Sequence, residues 1–186
     1  MDQQARRLER TLAYHCAPAL SGVKPADLIS WRESEAGDEP LLRRYARLLA
    51  RQGVRLRVLS RNNGRCLLLV YRPELLRDCL AQPEVADMLG RDGYPKGMEA
   101  QLKTLGRRLA APEFPHEIGL FLGYPPEDVD GFRRDGGRNC KFTGLWRVYG
   151  QVEEAIRRFR VFHRCRECLC QGMDEGNTLI QLLAAV

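Results

Sequence analysis

The chain has 186 residues, of which 44% are hydrophobic, enough for one domain over residues 1–186 to bury a core without metals or disulfides as staples. No stretch approaches the roughly 20 apolar residues that span a bilayer, and the charged residues 1–10 hold no apolar signal region, so a cytoplasmic protein with no membrane partner is expected. The formal net charge of +6 is modest, and the 7 cysteines, an odd number, read as reduced thiols rather than as a secreted disulfide framework.

The first expected element is a helix capped by Asp2, with Ala5, Leu8, Leu12 and then His15 or Cys16 at helical spacing and Pro18 at its end. Residues 32–39 read as a polar loop. Asp38 followed by Pro40 starts a second helix with the stripe Leu41, Leu42, Tyr45, Leu48 and Leu49, stopped by Gly53. Val54, Leu56 and Val58 alternate with Arg55 and Arg57 as a half-buried strand. Asn62-Asn63-Gly64 supplies the turn of a hairpin, and residues 66–71 read as a buried strand. Pro73 and Pro83 each begin a short helix, and Met98, Leu102, Leu105 and Leu109 share one face of a stronger one.

Residues 118–122 fit either a short buried strand or one apolar helical turn. Pro125 or Pro126 begins a brief helix whose first turn carries Glu127 and Asp128, of the sign that complements the helix dipole. Residues 143–149 are expected as a strand. A long helix over about 151–171 turns Val152, Ala155, Ile156, Phe159 and Phe162 inward and stops at Gly172; residues 179–186 close the chain as a helix. Helices around a few strands without regular alternation argue for an α+β fold, mostly helical around a small sheet that contains a β-hairpin.

Four stretches carry a resemblance to one family. The longest is Phe114-Pro115-His116-Glu117-Ile118-Gly119-Leu120-Phe121-Leu122-Gly123-Tyr124-Pro125; the others are residues 17–25, 127–132 and 144–149. Together they make the chain similar to the bacterial domain-of-unknown-function family numbered 3793, found mostly in anaerobes. The resemblance implies no established activity, cofactor or catalytic residue. It implies a setting in anaerobic iron and redox metabolism, through an association with ferrous-iron transport and flavodoxin genes.

Three constellations carry chemistry in the sequence. The first is the region of His116. Pro115 fixes the backbone ahead of it, and Gly119 and Gly123 allow close approach of a ligand or another backbone. An imidazole, the Glu117 carboxylate and the Tyr124 phenol on a rigid scaffold can bind a small polar molecule, with Lys24 supplying positive charge and Asp128 and Tyr149 supporting them. The leading expectation is therefore a small-ligand-binding or accessory protein with its site around His116. A sharper alternative is a thiol hydrolase, because residues 116–123 resemble the His-x-Gly-Ile-Tyr-x-Gly strand of papain-like cell-wall peptidases. Cys16 would be the nucleophile, His116 the base and Asp128 the orienting acid. Cys16, however, falls at the C-terminal end of its helix, where the dipole disfavours a thiolate, and it continues the apolar stripe of Leu8 and Leu12.

The second constellation is His163-x-Cys165-x-x-Cys168-x-Cys170, whose thiolates suit zinc or iron. At about 100° per residue only Cys165 and Cys168 share a side of a helix, so a metal site would need them with Cys140. The third is the acid-free segment 43–65, where Arg43, Arg47 and Arg51 line one helical strip. It lacks interleaved aromatics, a helix-turn-helix and a glycine-rich phosphate loop, so a solvated face is expected and nucleic acid is not the expected partner.

Overall fold

The structure, a computed structural model, describes residues 2–185. A three-stranded antiparallel sheet lies at its centre in the order β1 (Ala26–Arg32), β3 (Arg65–Tyr71), β2 (Arg55–Asn62). The hairpin turn between β2 and β3 contains Asn63 at φ 49° and Gly64 at φ 70°, the left-handed pair that such a turn requires. The middle strand β3 is apolar on both faces because both are covered. Cys66, Leu68 and Val70 enter one core, and Leu69 and Tyr71 enter the other, which is the two-residue period of a pleated strand.

The first core packs α1 (Gln3–His15), α2 (Ala17–Leu20) and α3 (Glu39–Ala50) with the C-terminal part of α9 (Val152–Asp174) and with α10 (Leu179–Ala184). Glu9 is buried there, accepting from the Tyr45 hydroxyl at 2.7 Å and from the Leu179 amide at 3.2 Å. The second core packs α4 (Pro73–Ala81), α5 (Pro83–Arg91), α6 (Met98–Leu109), α7 (Ile118–Phe121) and α8 (Pro126–Asp135) on the opposite face. The architecture is α+β, as the pattern of elements implies. A third, smaller core of Trp146, Val148, Ala155, Phe159 and Phe162 joins a two-stranded ladder, β4 (Phe142–Thr143) and β5 (Arg147–Val148), to the start of α9.

Two elements, β1 and α2, go beyond the expected pattern, and two local expectations are corrected. Residues 26–32 form a strand that the pattern hid, because Asp27 occupies one of its buried positions. The first helix, α1, ends at His15, ahead of Pro18 as expected, but Pro18 itself sits in the first turn of a second short helix, α2. Residues 143–149 are not one strand; they turn back at Gly144 to pair Thr143 with Arg147. Gly172 does not stop α9, which runs to Asp174, and its missing side chain makes room for Leu182, 2.6 Å from where a Cβ would stand. The ambiguous segment 118–122 is a helical turn.

Candidate functional site

The site region grows from the turn between α6 and α8. Gly119 has no side chain because Val129 and Tyr124 close over it; a Cβ would stand 2.8 Å from Val129 Cγ2 and 3.1 Å from Tyr124 Cδ2. Gly123 has φ +72°, and a Cβ there would meet the Pro25 ring at 2.6 Å. The two glycines thus seat the turn between α8 and the start of β1, and Tyr124 comes out of it with its ring stacked on Trp146, centroids 4.6 Å apart. His116, at the head of the same turn, is exposed. Its imidazole meets Phe132 edge-on at 5.0 Å and makes no hydrogen bond among the described residues.

Three hollows meet this turn. The first, of about 440 Å³, is charged and lies on the Glu117 side of His116. Glu117 is buried and accepts from Arg108 at 2.5 Å, from the Tyr94 hydroxyl at 3.0 Å and from Arg133 at 3.3 Å. Arg133 also holds Asp92 at 2.6 Å, and Arg108 donates to the Asp92 carbonyl. Burial pushes the Glu117 carboxyl up, but its own backbone amide, Arg108 and Tyr94 more than offset this and hold it below the usual range. The same pairing, added to burial, pushes the Tyr94 phenol up. Glu117 is therefore committed to internal partners.

The second hollow, of about 250 Å³, is an aromatic slot. His116, Phe132, Tyr124, Trp146 and the exposed Leu145 line it, with Asp128 behind. Asp128 is buried and accepts three hydrogen bonds, from Trp146 Nε1 at 2.7 Å and from the amides of Tyr149 and Gly150 at 2.7 and 2.9 Å. It orients the slot's tryptophan and fixes the entry to α9. Tyr149 is a packing residue: its hydroxyl donates to the Arg138 carbonyl at 2.9 Å and its ring covers Gly131.

The third hollow, of about 460 Å³, lies on the other side of Tyr124 and is lined by Lys24 and Arg158. Lys24 is buried in an ion pair with Asp27 at 2.5 Å, with its ammonium 5.3 Å from the Tyr124 ring. So the structure does not gather Lys24, His116, Glu117 and Tyr124 around one hollow. Tyr124 is shared by the second and third, His116 by the first and second, and Lys24 belongs to the third alone.

The thiol candidates fall elsewhere. Cys16 has no exposure and lies in the first core; burial, then the nearby Asp27, push its thiol well above the ordinary range despite the opposing charge of Lys24. It lines neither hollow that holds His116. Cys140 sits 3.5 Å from the Thr143 hydroxyl, Cys165 packs against the first core and Cys168 is exposed on α9. Among the described residues no three His, Cys, Asp or Glu side chains gather to hold a metal ion, so these cysteines do not form the joint site their spacing suggested. Arg43, Arg47 and Arg51 are exposed, and Arg43 pairs with Glu39 at 2.7 Å.

Sequence reasoning missed Trp146, Phe132, Arg108, Arg133 and Arg158 as site residues. Only Arg158 had a positional signal, since it lies three residues after Ala155 and four before Phe162 on the inward stripe of α9. No curated protein and no solved structure matches the chain. The family model described as protein of unknown function, DUF3793, matches residues 12–183. The chain belongs to that family.

Proposed function

We propose that this protein binds a small molecule with a flat apolar body and a polar edge, seated in the slot between His116 and Trp146. One observation carries the reading: an exposed imidazole with no hydrogen-bond partner among the described residues stands at the mouth of a hollow walled by Tyr124, Phe132 and Trp146. Ligand sites are typically apolar hollows with a few well-placed polar groups. A volume of about 250 Å³ suits a one- or two-ring ligand. The stacked Tyr124–Trp146 pair offers rigid aromatic surface, and His116 offers both a donor and an acceptor nitrogen.

Two facts favour binding over thiol hydrolysis. Cys16 is sealed in the first core with its thiol kept protonated, and Asp128 is occupied by Trp146 and two backbone amides. In the anaerobic iron and redox setting that the family resemblance implies, such a protein holds or carries a small molecule as an accessory rather than performing acyl transfer.

Calorimetric titration with indole and with phenol tests the slot. At least one binds saturably, His116→Ala weakens it about tenfold, a loss of about 1.4 kcal/mol, and Leu145→Glu, at an exposed wall position, weakens it while the melting temperature holds. Binding that is equally strong in both variants, or saturable binding by neither probe, overturns the proposal.

A further inference from the structure

The third hollow contains a cation whose charge is not answered. Arg158 is half-buried, and its Nη2 donates to the Gly123 carbonyl at 2.6 Å. Its guanidinium lies 5.3 Å from the Trp146 ring and 5.9 Å from Phe162. Among the described residues it has no carboxylate partner; Glu154 and Asp128 act on it only through space. Three other half-buried arginines are arranged otherwise. Arg108 is paired with Glu117, and Arg133 with Asp92 and Glu117. Arg72 also lacks a carboxylate, but it donates to the carbonyls of Ala19, Leu20 and Gln52.

A guanidinium has five donor hydrogens in a fork that matches an oxyanion. A half-buried one with a single carbonyl partner has lost hydration without full compensation; burial accordingly lowers its proton affinity. The same hollow is lined by Lys24, whose side chain is 8% exposed and whose ammonium makes one hydrogen bond among the described residues, to Asp27. Its only other formal charge at the lining is Asp78, which is exposed.

We infer that this hollow is an anion subsite, in which Arg158, with Lys24 beside it, takes a small oxyanion, a carboxylate or a phosphate. The site is separate from the His116 slot and does not depend on it: Asp27 neutralises Lys24, Arg158 provides the unanswered charge, and Tyr124 divides the two hollows. The volume of about 460 Å³ leaves space for an organic body attached to the anion.

The test is a titration with sodium acetate and, separately, with inorganic phosphate, at constant ionic strength balanced with chloride and followed by the NMR signal of the Arg158 Nε–H. One of the two anions shifts that signal saturably, and which one does so separates a carboxylate site from a phosphate site. Arg158→Gln, followed by calorimetry, weakens binding at least tenfold. Asp78→Asn, at an exposed position that keeps the fold, removes a repelling charge and tightens binding by about two- to fivefold, as expected for a charge interaction at an exposed position. His116→Ala leaves the affinity unchanged. No saturable shift with either anion overturns the inference. So does an affinity that is unaltered in Asp78→Asn, which decides the matter even if Arg158→Gln fails to fold.

Discussion

Asp128 and Glu117 sit eleven positions apart, in α8 and just ahead of α7, yet each is saturated by different internal partners, and each makes a distinct prediction. Asp128 satisfies three donors in a buried setting. Asp128→Ala leaves an indole N–H and two amides without an acceptor, and is expected to cost about 2–4 kcal/mol in urea denaturation. Glu117 has its carboxyl held below the ordinary range. Such a group binds protons more weakly in the folded state, so its stabilisation is present above the unfolded carboxyl range and is lost as pH falls through the folded value. Stability measured as pH is lowered from about 5 therefore declines, and Glu117→Gln makes that decline shallower. If the variant's acid limb matches that of the native protein, the pairing with Arg108 and Arg133 has no energetic weight. Both acids stand out in the sequence, but their roles do not. The donors to Glu117 come from the connection after α5, from α6 and from α8, and nothing near it in the chain announces them.

Elements whose neighbours are sequential were legible, and those defined by distant partners were not. The α3 stripe of Leu42, Tyr45 and Leu49 and the unbroken apolar run of β3 are local patterns, and both elements form where they are expected. The strand β1 escaped notice because Asp27, at a buried position, breaks its apolar alternation; Lys24 and the Ala19 amide at 3.0 Å make the charge tolerable there. The β4–β5 turn was read as one strand because the cause of the reversal lies on α9. A Cβ on Gly144 would stand 2.1 Å from the Phe159 ring, and that ring is fixed edge-on against Trp146 with centroids 4.4 Å apart. Gly144→Ala is expected to lower stability by about 1–3 kcal/mol through overpacking, read by denaturation, and to shift the Trp146 indole signal. An unchanged stability and spectrum would mean that the small third core yields more readily than its geometry indicates.

At the scale of the molecule, the central sheet separates two cores, and the candidate site lies at the margin of the second, where the turn around His116 meets the small aromatic core at the start of α9. Three of the stretches that carry the family resemblance, residues 114–125, 127–132 and 144–149, border the slot. The apolar stripe of α1 already points Cys16 into the core, but the partition of the site is not legible in the sequence: Lys24, expected beside His116, lines a different hollow. Such a partition is set by how Tyr124 packs between the hollows and not by spacing along the chain. The two tryptophans offer a direct test. Trp146 lines the slot, whereas Trp31 is buried in the first core with its Nε1 on Asp38 at 2.8 Å. In NMR titrations with indole and with phenol, at least one probe should move the Trp146 Nε1–H signal saturably while that of Trp31 stays fixed, and His116→Ala should weaken that response about tenfold. Two tryptophan signals that both stay still with either probe, or that drift together without saturating, would contradict a ligand site at His116.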